Sequence, residues 1–117
     1  MRLAIAVLTA TLIAGPAAAE FKRVTDRDNF VSLVKDRNLT RLGIRLNVTD
    51  NGKIIGRAFG QKVSGAWKWS SGFFCRDLYV NGEVLDGDNC QTVEVRGDTV
   101  RFTSDKGAGD FADLRLR

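Results

Sequence analysis

The sequence predicts a mainly β protein: a small antiparallel β-meander or barrel of about seven or eight short strands with one N-terminal helix. Three observations lead there. Apolar and polar residues alternate with a period of two through most of the chain after Arg41. Turn signals, among them Asp50-Asn51-Gly52, Ser70-Ser71-Gly72, Asn81-Gly82 and Arg96-Gly97-Asp98, interrupt that alternation at spacings of roughly 8–12 residues. Helical spacing occurs only near the N-terminus of the mature chain, so no crossover helix separates the strands, and parallel pairing needs connections of about a dozen residues.

Residues 1–19 read as a secretory signal peptide. Arg2 precedes an apolar run from Leu3 to Ala14, a Gly15-Pro16 breaker and the small-residue end Ala17-Ala18-Ala19. The run is short for a membrane span of about 20 residues, and no cysteine follows it to take a lipid anchor. Cleavage after Ala19 leaves residues 20–117 as one β-rich periplasmic domain with no transmembrane segment. Loss of Arg2 lowers the formal charge from +4 to +3.

In the mature chain Thr25-Asp26-Arg27-Asp28 carries an N-cap residue followed three positions later by an acid. Phe30, Val31, Leu33 and Val34 then share a helical face, giving a helix over about 26–36, ended by Asn38. Alone it is too short to persist in water, so it must pack on the sheet and cover an open end or edge. Leu42, Ile44, Leu46 and Val48 alternate with Arg41, Gly43, Arg45 and Asn47 as the first strand. Asp50-Asn51-Gly52 predicts a two-residue primed turn, and Lys53 to about Phe59 is the return strand, with Gly56 and Gly60 as bulge or close-packing points.

The stretch from Trp67 to Cys90 holds both tryptophans, the single tyrosine and both cysteines. Val63, Gly65, Trp67 and Trp69 share one parity and Lys62, Ser64, Ala66 and Lys68 the other, so a tryptophan strand and a cysteine strand from Phe73 to Val80 form a hairpin. Between Asn81-Gly82 and Asp86-Gly87-Asp88-Asn89 there is room only for a short edge strand. Cys90–Val95 and Thr99–Thr103 form a further hairpin, and a glycine loop from Ser104 to Asp110 leads to a last strand at about Phe111–Arg117.

Two cysteines in a small exported chain predict a disulfide, Cys75–Cys90. Histidine is absent. This removes histidine nucleophile pairs and histidine acid–base chemistry, and with both thiols oxidised no thiol nucleophile remains. Asp77 and Glu83 are formal carboxylate candidates with nothing to place them across a cleft. Asp77 reads as solvated or paired with Arg76. The acidic glycine loops, with Asp86, Asp88, Asp105 and Asp110, are weak calcium candidates, since tight turns demand the same residues. Gly107-Ala108-Gly109-Asp110-Phe111-Ala112 mimics a dinucleotide fingerprint but precedes a strand rather than a helix. The residues therefore predict a protein that is not an enzyme and needs no cofactor. The candidate binding face is Trp67 and Trp69 with Lys62, Lys68, Ser71 and Gly72, toward an envelope protein or an anionic surface rather than nucleic acid. Basic residues (Arg41, Arg45, Lys53, Arg57, Lys62, Lys68) gather in the first half of the mature chain and acids in the second.

The pieces VTDRDNF, GRAFG, GAWKWSSGFFCRDL, NCQTV and DKGAGDFADLRLR resemble a family of small exported bacterial proteins of unknown function, some of which carry the name dihydrodipicolinate reductase. That name implies an NAD(P)H oxidoreductase with a nucleotide-binding domain and a histidine-lysine motif, neither of which this sequence has. Ser70-Ser71-Gly72-Phe73 also resembles, more weakly, the cleft-entering loop of periplasmic lysozyme inhibitors, which are small disulfide-bonded antiparallel barrels. The residues themselves, without histidine, free thiol or cofactor fingerprint, predict a non-catalytic exported β-protein with a binding or structural role in the periplasm or envelope, and the second resemblance implies the alternative of a lysozyme-inhibitor-like protein.

Overall fold

The computed structural model describes residues 20–117, and the expected signal peptide lies outside the described residues. The elements in order are β1 (Lys22–Val24), α1 (Arg27–Val34), β2 (Leu39–Arg41), β3 (Ile44–Val48), β4 (Lys53–Ala58), β5 (Gln61–Ser70), β6 (Phe73–Val80), β7 (Glu83–Arg96), β8 (Thr99–Thr103), a short 3-10 turn (Asp105–Gly107) and β9 (Phe111–Leu116). Each strand from β2 to β9 pairs antiparallel with the next, and β9 returns to pair with β2. The result is a closed up-and-down barrel of eight strands, a ring that has no free edge of its own. The ninth strand, β1, lies outside the ring. It takes up Val93–Val95 of β7 where β6, paired as far as Gln91, leaves off.

Alternation sorts each strand into an inner and an outer row. Val48, Ile54, Val63, Trp67, Phe74, Val93, Val100, Phe102, Leu114 and Leu116 are buried, and Arg45, Arg57, Lys62, Lys68 and Arg115 between them are exposed. Four connections differ from the sequence expectation. The run from Arg41 to Val48 is not one strand but a hairpin, turning at Leu42-Gly43 with Gly43 at φ +75°. The Asp50-Asn51-Gly52 loop is a three-residue turn closed by Thr49 N–H to the Lys53 carbonyl, and only Gly52 takes positive φ. Phe59-Gly60 is itself a two-residue turn, with both residues at positive φ. The expected break at Asp86–Asn89 lies inside β7, a continuous strand of 14 residues. Register shifts opposite Arg76–Tyr79 absorb the extra residues there as bulges. Ser71-Gly72 and Asn81-Gly82 do form two-residue turns, and each of the four residues is at positive φ. Gly56 is the close-packing point: a Cβ there would collide with the Arg45 carbonyl oxygen.

Helix α1 starts one residue later than the sequence pattern implies. Asp26, not Thr25, is its N-cap, accepting from the Asn29 N–H at 2.8 Å. It ends at Val34, where Lys35 leaves helical geometry and Asp36 turns to φ +57°. Both helix ends hold the β3–β4 turn: Arg27 donates to the Asp50 carbonyl at 2.6 Å, and the Lys35 ammonium lies 3.7 Å from the Asp50 carboxylate. The helix thereby caps one end of the barrel and sends Phe30 into it, 0% exposed. Its ring centroid lies 5.3 Å from Trp67, 5.2 Å from Trp69, 4.9 Å from Phe74 and 6.5 Å from Phe102. Truncation at this position leaves a void ringed by four aromatics that cannot collapse independently. Phe30→Ala is expected to cost about 3–5 kcal/mol in chemical denaturation, while Ser32→Ala on the exposed face of the same helix stays within about 0.5 kcal/mol.

Candidate functional site

The aromatic plug fills only the helix end of the barrel. Beyond Phe74 and Phe102, whose rings stand 5.4 Å apart, the interior holds a cavity of about 180 Å³. Its wall is mainly apolar, with Leu46, Ile54, Leu78, Ala112 and Leu114 among its residues, and three polar side chains converge on it: Arg41, Arg76 and Gln91. Arg76 reaches the interior because it faces Trp67 across the β5–β6 ladder. Its side chain is only 11% exposed, and its guanidinium donates to the Asp86 carboxylate at 2.8 Å. Gln91, also buried, donates from its amide to the Ser104 hydroxyl at 3.3 Å. Arg41 is exposed beside the β2–β3 turn and stands in no ion pair among the described residues, so it marks the cavity's mouth, at the end away from α1. An apolar chamber with a few fixed polar groups is the usual form of a small-molecule site. Roughly 150 Å³ is enough for benzene, so the space suits one ring or a short alkyl chain.

The sequence-predicted binding face is divided by the barrel wall. Trp67 is a core residue, 6% exposed, its indole N–H donating to the Thr49 carbonyl at 2.8 Å. Trp69 is half-buried against Phe30 and donates to the Thr25 carbonyl at 3.3 Å. Lys62 and Lys68 point outward from the same strand, as their opposite parity requires, so no aromatic surface flanked by these cations forms. Ser71 and Gly72 make a tight turn beside β1, where the Arg23 guanidinium donates to the Gly72 carbonyl at 3.4 Å. No projecting loop of the lysozyme-inhibitor kind is present at that turn.

The other named residues have structural duties. Cys75 and Cys90 are direct cross-strand partners on β6 and β7 and form the expected disulfide. Asp77 does not pair with Arg76: its carboxylate, half-exposed to solvent, accepts from the Ala66 N–H at 2.8 Å, where the β5–β6 ladder is interrupted. Glu83 is exposed at the β6–β7 turn. Asp86 and Asp88 belong to β7 rather than to a loop, and Asp86 is taken up by Arg76. Asp105 and Asp110 do lie on a loop, closed by the Ser104 N–H bonding to the Asp110 carbonyl at 2.9 Å. Among the described residues no three acidic, cysteine or histidine side chains gather as a metal site. The Gly107–Ala112 stretch runs from this loop into β9 and opens no helix. Arg101 and Asp113, paired across β8 and β9 at 2.8 Å, hold each other's ionised forms, with the hydrogen bond lowering the Asp113 pKa and raising that of Arg101.

Fold and site together define a disulfide-bonded antiparallel barrel, plugged at one end by an aromatic helix and hollow toward the other. No helix among the described residues is long and apolar enough to cross a membrane. No protein-family model, curated protein or solved structure matches the chain.

The cavity and Arg76 both lean on the β6–β7 hairpin, whose bulges make the disulfide its main register lock. Replacing both cysteines by serine should remove about 3 kcal/mol and lower the unfolding midpoint by on the order of 15 °C. Intact-mass measurement of the unreduced wild type should show a deficit of two hydrogens. An unchanged midpoint in the double variant would contradict the role given to the bridge.

Proposed function

We propose that this chain is an exported, non-catalytic protein of the periplasm or cell envelope that binds a small, largely apolar ligand inside its barrel. The observation that carries the binding role is the cavity of about 180 Å³ left in the interior, since a barrel of eight strands is just wide enough to be filled by side chains or to hold one small ligand. The converging Arg41, Arg76 and Gln91 favour a ligand with an apolar body and a polar or anionic head. Arg76 already shares its charge with Asp86, so Arg41, which stands in no ion pair among the described residues, is the cation that would take that head. A histidine-free sequence whose two thiols are joined supports a binding role over catalysis. The leader-like residues 1–19 and the disulfide support an oxidising destination.

Titration calorimetry with octanoate and 1-octanol tests the ligand class. Both should bind the purified protein, octanoate more tightly. Ala112→Phe, which fills the chamber from β9, should weaken both at least tenfold without loss of the far-ultraviolet β signature. Arg41→Gln should weaken octanoate alone. Failure of every alkyl ligand to bind, or indifference to Ala112→Phe, would overturn the reading. Export has its own test: protein recovered from the periplasm should begin at Glu20.

A further inference from the structure

The end of the barrel opposite α1 carries two large apolar side chains that the fold leaves outside. Leu42, at the tip of the β2–β3 turn, is 91% exposed, and Phe59, at the tip of the β4–β5 turn, is 75% exposed. The two tips are neighbours, for the Phe59 N–H donates to the Gly43 carbonyl at 2.7 Å and the Phe59 ring lies over Gly43. Neither residue is what its turn prefers. Phe59 takes φ +50° at the first position of a two-residue turn, where asparagine is favoured and a bulky side chain is strained. A locally unfavourable residue that buries little in the fold points to a use outside it.

Just below these tips the outer surface carries an uncompensated basic row. Arg45 stands directly opposite Arg57, and Arg57 directly opposite Lys62, on three adjacent strands. Like charges facing each other across a ladder destabilise it, yet none of the three is in an ion pair among the described residues. Thr40 and Arg115 continue the row onto β2 and β9. Each of the three central cations lies two residues from its turn. At about 3.3 Å per residue, they sit roughly 7–10 Å behind the apolar tips, close to the depth of roughly 5–10 Å at which amphipathic elements enter a bilayer interface.

We propose that this end of the barrel docks on an anionic phospholipid bilayer, with Leu42 and Phe59 entering the acyl boundary and Arg45, Arg57 and Lys62 resting among the headgroup phosphates. The long stems of the basic side chains let their heads reach the phosphates from the barrel wall. The docking rests on this rim alone and is independent of what the cavity holds.

Vesicle sedimentation with purified residues 20–117, which contain every strand of the barrel, tests it. The protein should bind vesicles of phosphatidylcholine with phosphatidylglycerol, bind pure phosphatidylcholine far more weakly, and be released by salt. Each basic side chain near an anionic surface is worth about fivefold, so Arg57→Gln with Lys62→Gln should weaken binding about 25-fold. Phe59→Asn creates an Asn-Gly turn and should leave the unfolding midpoint equal or higher while weakening vesicle binding at least tenfold. Leu42→Ser serves as the second apolar variant. Absence of vesicle binding, equal binding to neutral vesicles, or affinity unchanged in the apolar and basic variants would overturn the proposal and leave the rim to a protein partner.

Discussion

Everything else in this structure depends on the burial of Phe30. A helix of eight residues has no stability of its own in water, and a barrel of eight short strands has an apolar interior open at both ends. The ring solves both problems at once, because four aromatic rings from β5, β6 and β8 surround it and exclude water from that end. Polar contacts then fix the helix in place. The grip of Arg27 and Lys35 on Asp50 and the two indole N–H bonds to Thr49 and Thr25 lie around the plug, so the turns at that end cannot move without disturbing it.

Concentrating the large rings at one end has a consequence at the other. With Phe30, Trp67, Trp69, Phe74 and Phe102 spent on the plug, the wall beyond it is lined by smaller side chains, among them Ile44, Leu46, Ile54, Leu78, Ala112 and Leu114, which do not span the barrel. A cavity is left, and Arg76 can point into it because Asp86 neutralises its charge. The same alternation that sends these aliphatics inward sends Arg45, Arg57 and Lys62 outward in register, so cavity and basic row are two sides of one set of strands.

Much of the fold could be read from residue order. Asn81-Gly82 and Ser71-Gly72 are turn residues doing what their chemistry favours, the helix announces itself by its spacing, and two cysteines leave one pairing. The turns at Leu42-Gly43 and Phe59-Gly60 are not legible because leucine and phenylalanine are not turn residues, and the continuity of β7 is hidden because Asp86-Gly87-Asp88-Asn89 looks like a turn and instead serves bulges. The site was less legible. Parity alone separates Trp67 and Trp69 from Lys62 and Lys68, which argues against the combined face. The gathering of basic residues in the first half was visible, but its conversion into a row needed the strand register. The cavity depends on how eight strands close, which no local pattern encodes.

The barrel is packed at the helix end and holds its cavity beyond Phe74 and Phe102. Crystals held under xenon pressure probe this directly, since xenon enters dry apolar cavities of roughly this size. A xenon site enclosed by Ile54, Phe74, Phe102 and Leu114, with Phe30 undisplaced, is the predicted result. A barrel interior without xenon, or xenon lodged beneath α1 in place of the phenylalanine ring, would contradict it.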